Sequence, residues 1–141
     1  MGAALMTTEL WYLLATSILL SMLWAPPIIG QVMNGGFLTQ EDYKKLRDIA
    51  DYPDWVRRAN RAHVNLVEQF GAFAGVILVA HLAGVADGLT AACSAIYFWA
   101  RIVHAIVFIA GITMMMLRTL VFTAAWAALV VFGIHVALSA A

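Results

Sequence analysis

Arg58, Arg61, Asn65 and Glu68 are spaced by three, four and three residues. At about 100° per residue a helix gathers them within roughly 80° of arc. One stripe then carries two guanidinium groups, an amide and a carboxylate. Arg57 and Arg58 alone are explained by snorkelling toward anionic headgroups at a membrane interface. Asn65 and Glu68 are not, because they point deeper. An acid inside a membrane costs a few kcal/mol unless it faces a partner or water. Glu68 therefore requires a cation. Arg101, isolated in an apolar stretch, is the obvious supplier, with Arg118 as the alternative. A Glu68–Arg101 pair could merely fix helix packing and still leave room for binding nearby.

His104 follows Arg101 by three residues and shares its face. A lone helix histidine is most often packed or hydrogen-bonded. No Cys/His cluster has zinc spacing, so no metal site is expected. Arg118-Thr119 opens the last apolar run. It obeys a positive-inside bias, yet it could also aim a guanidinium and a hydroxyl at an anion bound against the second helix. His81 and His135 fall near outer helix ends and read as interfacial.

The elements that must position these residues follow from composition. The chain has 141 residues, 64% hydrophobic and 11% charged. Soluble domains are about 45–50% apolar and about 25% charged, so lipid must solvate much of this chain. A formal net charge of zero argues against nucleic acid as a partner. The single cysteine, Cys93, excludes an internal disulfide.

A span needs about 20 mostly apolar residues. Four are expected, at 10–32, 57–83, 92–116 and 118–138, in one all-α membrane domain covering 1–141. Pro26-Pro27 should kink the first. No Lys or Arg precedes it, so it reads as a span rather than a signal peptide. Residues 33–56 form a polar loop. Thr39 should cap a short surface helix running to about Ala50, and a second helix should start near Asp54. Gly84–Leu89 reads as a tight turn, whereas spans three and four join almost without a loop. Gly71 and Gly75 form a small-residue stripe suited to close helix packing.

Every basic residue except Arg101 and Arg118 lies in the first loop or at the start of span two. The positive-inside bias puts that loop in the cytoplasm and both termini outside it. Compact loops fit a bacterial inner membrane.

The run Arg58-x-x-Arg61-Ala62-His63-x-Asn65-x-x-Glu68, followed by Phe73, resembles the signature of the MAPEG family. These are the membrane-associated proteins in eicosanoid and glutathione metabolism, which include microsomal glutathione transferases. Arg101-x-x-His104 and Arg118-Thr119 extend the resemblance across the chain. It implies a homotrimer in membrane lipid, with glutathione as co-substrate between subunits near the cytoplasmic face. Arg58, Arg61, Asn65, Glu68, Arg101 and His104 would bind it. Arg118 and Thr119 would act on its thiol, lowering a pKa that is about 8.5 when free. The implied activity is conjugation of glutathione to a lipophilic electrophile that arrives through the bilayer, with or without peroxidase activity.

Three departures from the family pattern stand out. Phe108 occupies a position where several members have tyrosine, Met33 replaces a basic residue of some members, and Ala72 replaces a common proline. The first two remove ligand contacts and the third affects helix bending. A non-catalytic, ligand-binding member is the alternative function. A small multidrug transporter fits poorly, because it needs an exchangeable glutamate at mid-membrane in its first helix. Glu9 is terminal, and Glu68 comes with arginines.

Overall fold

The computed structural model describes residues 6–140. Residues 1–5 and Ala141 of the expected domain lie outside that range. Six α-helices follow one another: α1 Thr8–Leu23, α2 Ala25–Gly35, α3 Gln40–Lys44, α4 Asp54–Leu82, α5 Gly88–Ala110 and α6 Leu117–Ser139. Four helical runs among the described residues are long and apolar enough to cross a membrane: α1 with α2, α4, α5 and α6. They form a bundle in which consecutive spans run antiparallel. Glu9 and Thr90 meet at one end, as do Asp87 and His135, while Arg58 meets the end of α5 at the other.

Each helix boundary has a local cause. Thr7 caps α1 by accepting from the Leu10 amide at 3.4 Å. The first span breaks at Trp24, because Pro26 and Pro27 have no N–H for the carbonyls of Met22 and Leu23. Proline is well suited to the first turn of α2, so the chain restarts as a helix at once. Asp87 caps α5 by accepting from the amides of Leu89 and Thr90 at 2.9 and 3.0 Å. That capping starts α5 inside the expected Gly84–Leu89 turn, ahead of the predicted Ala92. Backbone donation from Thr90, then the His135 side chain, holds the Asp87 carboxyl below its ordinary value.

Two expectations fail at the other end of the bundle. The third helix stops at Ala110 rather than Met116, because Gly111 takes a left-handed conformation (φ 71°) and turns the chain. A bend with a 3-10 turn at Met114–Met116 then leads into α6. Met116 is itself left-handed at φ 57°, which costs a non-glycine residue about 1–2 kcal/mol. The surface helix α3 ends at Lys44, well short of Ala50. Arg47 folds back to Asp42 at 2.6 Å and to the carbonyls of Gly35 and Phe37, which ends the helical course. Arg47 thus covers orphan carbonyls at the C-terminus of α2. Its guanidinium also holds the Asp42 carboxyl far below the usual carboxylate range.

The main core packs α4, α5 and α6 around Phe73, Tyr97 and Phe132, with the Phe73 and Tyr97 rings stacked at 3.9 Å. A second cluster joins Leu23, Leu66 and Ala105 nearer the charged end. The Gly71–Gly75 stripe does not mediate packing within the chain. A Cβ at either position would meet nothing within 4 Å, because both lie on the side of α4 opposite Phe73 and Ile77.

Gly30 is where close approach is required. A Cβ there would stand 2.6 Å from both Trp55 and Val56 at the start of α4. Gly30→Ala should therefore destabilise the α2–α4 contact by about 1–3 kcal/mol through overpacking. Thermal melting in detergent checks this, and an unchanged midpoint would mean that the two helices are not in contact at Gly30.

Candidate functional site

A cleft of about 320 Å³ opens between α4, α5 and the start of α6 near the charged end. Arg61 and Asn65 line it from α4, His104 and Phe108 from α5, and Arg118, Thr119 and Phe122 from α6. Its back wall is set by Arg101, only 2% exposed. Nη2 of Arg101 donates to the Asn65 backbone carbonyl at 2.8 Å and to Asn65 Oδ1 at 2.9 Å. The rings of Tyr97 and Phe122 face the guanidinium at 5.9 and 5.6 Å, where a desolvated cation–π contact is worth about 2 kcal/mol or more. The buried charge is thus satisfied by an amide, a carbonyl and two aromatic faces.

That arrangement orients Asn65. Its side-chain oxygen faces Arg101, so its amide N–H groups remain for the cleft. His104 lies one turn along α5, also buried, with Phe108 and Phe122 at 5.5 and 5.9 Å. The Arg118 guanidinium rests 4.6 Å from the centre of the Phe108 ring. Arg61 reaches Glu68 at 3.5 Å, with their side chains 57% and 50% exposed. At that exposure the ion pair contributes little to stability, and both groups are free to exchange partners. The cleft therefore offers two guanidinium groups, one amide, one hydroxyl, one imidazole and one adjacent carboxylate, with a third guanidinium, that of Arg101, behind it. Such a set can hold an anion that also carries a cationic group.

The sequence model of the MAPEG family matches residues 10–138. The chain belongs to the MAPEG family. It is accordingly an integral membrane protein of a family in glutathione and eicosanoid metabolism. Neither the curated proteins nor the solved structures yielded a match.

Within this MAPEG chain, Arg61, Asn65, His104, Arg118 and Thr119 come together as the stripe and the two short motifs suggested. Three other candidates are placed differently. Glu68 pairs with Arg61 on its own helix, not with Arg101 or Arg118, because Arg101 is already engaged by Asn65. Arg101 stands behind the cleft rather than in its lining. Arg58 lies at the end of α5, where Nε donates to the Ile109 carbonyl at 3.2 Å. Its role there is to hold the helix terminus.

Sequence reasoning missed the aromatic contribution. Phe122 follows Arg118 by one helical turn and so could have been found by i,i+4 spacing. Phe108 was legible only as a missing hydroxyl, yet its ring face supports Arg118. Glu9, read as terminal from the sequence, is 4% exposed and takes a hydrogen bond from the hydroxyl of Thr90 in the first turn of α5.

Asn65→Leu should remove one of the two hydrogen bonds to Arg101 and cost about 1.5–3 kcal/mol, since the donor is a buried charge. The double variant Asn65→Leu/Arg101→Met should recover part of the loss. Equal melting temperatures for wild type and Asn65→Leu would show that Arg101 does not depend on this amide.

Proposed function

We propose that the chain is a membrane-bound glutathione transferase, joining the glutathione thiolate to lipophilic electrophiles. The observation that carries this reading is the cleft in which Arg61, Asn65, His104, Arg118 and Thr119 converge. Glutathione bears two carboxylates, an ammonium group and a thiol. Arg61 and the Asn65 amide suit a carboxylate, and Glu68 beside Arg61 suits the ammonium. Arg118 and the Thr119 hydroxyl would stabilise the sulfur as thiolate. A cation next to a thiol with a free pKa of about 8.5 can lower it by one to two units, making thiolate a major species at neutral pH.

The sulfur lone pair then forms the carbon–sulfur bond to chlorodinitrobenzene, a model electrophile. The carbon–chlorine pair departs as chloride, and the thiol proton has passed to water. Reduction of lipid hydroperoxides by the same thiolate is compatible with this cleft.

The cleft is open on one flank, where the Arg61 and Glu68 side chains are half exposed, and the Gly71–Gly75 stripe faces out of the chain. Both features suit the homotrimer of the family, with a neighbour closing the site. The clustering of Lys and Arg suits an orientation with the charged end in the cytoplasm.

A binding role without turnover is the second reading. It is favoured by Phe108, which supports Arg118 but has no hydroxyl to offer a thiol.

Calorimetric titration of glutathione into detergent-purified protein, together with chlorodinitrobenzene turnover, separates these readings. Binding with turnover supports the transferase, binding alone supports the second reading, and no binding removes both. Arg118→Ala should leave the oligomer intact and lower kcat about 8- to 25-fold at pH 7, the loss of thiolate fraction expected when a thiol regains one to two pKa units. Unchanged turnover would exclude Arg118 from the mechanism.

A further inference from the structure

An apolar groove of about 360 Å³ runs between α1 and α5. Leu19 and Leu23 wall it on one side, and Ile102, Ile106, Ile109 and Ala110 on the other. At about 100° per residue these α5 positions are centred roughly 160° around the helix from His104 and Phe108, so the groove is separate from the polar cleft. All of its lining side chains are aliphatic. From Ile102 to Ala110 the wall rises about 12 Å, at about 1.5 Å per residue. The hydrocarbon of one bilayer leaflet is about 15 Å deep. The groove thus has the composition and length of a slot for one acyl chain.

An arginine stands where the groove reaches the charged end of the bundle. Ile109 and Ala110 are the last two residues of α5, and Arg58 Nε donates to the Ile109 carbonyl at 3.2 Å. Among the described residues no carboxylate lies within ion-pair distance of Arg58, and that carbonyl is its only hydrogen-bond acceptor. Its neighbours in the chain are committed, Arg57 to Asp54 and Arg61 to Glu68. The Nη groups of Arg58 keep their donors, in the planar fork that suits a phosphate.

We propose that the groove and Arg58 together form a site for an anionic phospholipid, with one acyl chain along α1 and α5 and the phosphodiester on Arg58. The inference does not depend on the transferase reading. A phosphate at this place would otherwise meet the carbonyl end of α5, the negative pole of a helix. Nε answers the carbonyl and the Nη fork answers the phosphate, so one guanidinium screens the two from each other. The acyl chain in turn covers apolar surface that the bundle leaves open, including Ile106, which is 59% exposed. The small-residue stripe suited to a neighbouring subunit lies on α4, which leaves the α1–α5 groove to lipid.

The test uses the full-length protein, stripped of lipid in detergent and titrated with phosphatidylglycerol or phosphatidylcholine of identical chains. Native mass spectrometry gives the Kd of the first lipid bound per subunit. Wild type should prefer phosphatidylglycerol about fivefold, the preference that one interfacial arginine supplies. Arg58→Gln should bring the ratio close to one, whereas Arg58→Lys, which retains the charge, should keep it. Ala110→Trp, at an exposed position, fills the groove and should weaken both lipids about tenfold at an unchanged ratio, as displacing about two methylenes would. Equal affinity of wild type for the two lipids, or unaltered lipid binding by Ala110→Trp, would overturn the site. So would loss of the oligomer in the Ala110→Trp spectra, which would give the groove to a neighbouring subunit. Competition by millimolar inorganic phosphate would give Arg58 to a free anion instead. Should Arg58→Gln fail to fold because the Ile109 carbonyl loses its donor, the wild-type ratio and Ala110→Trp decide the matter.

Discussion

A guanidinium inside an apolar helix bundle must be satisfied from within, and Arg101 imposes that demand on everything around it. Among the described residues no carboxylate lies within ion-pair distance of it. The charge is offset instead by the Asn65 carbonyl and amide oxygens and by the rings of Tyr97 and Phe122. Those contacts come from three different helices. They align α4 with α5 at Asn65, draw α6 in at Phe122, and turn the Asn65 amide toward the cleft. The positive character of the cleft follows, since no acid nearby cancels Arg101 and the one adjacent carboxylate, Glu68, lies out with Arg61 at the half-exposed rim.

Arginine also finishes helices here. Arg47 reaches the carbonyls that end α2, and Arg58 reaches one that ends α5. Both place positive charge at the negative end of a helix, where it is worth about 0.3–1 kcal/mol when exposed. Residues that look like a generic basic surface in the sequence are therefore fixing the loop before α4 and the bend before α6. Gly30 completes the frame by letting α2 lie against Trp55 and Val56.

The four spans were legible because apolar runs of this length have few alternatives. The stripe of Arg61 and Asn65 was legible because helical periodicity is strict, and Arg118-Thr119 because polar residues at a span boundary stand out. What escaped was partner choice. Spacing puts Glu68 and Arg101 in the same class of intramembrane charge, but relative depth and helix rotation decide who meets whom, and these are set by packing such as the Phe73–Tyr97 stack. The end of α5 escaped because Ile112 to Leu117 is as apolar as the helix before it. The stop comes from the backbone of Gly111, a single residue inside a hydropathy signal that does not change. Glu9 escaped because its neighbour Thr90 is distant in sequence.

The central claim is that the Arg118 side of the cleft holds a sulfur as its anion. Ultraviolet absorbance of the thiolate, followed as a function of pH with glutathione bound to the purified protein, tests it most directly. A bound thiol titrating one to two units below its free value of about 8.5 is the predicted result. A midpoint at the free value, with glutathione demonstrably bound, would contradict it.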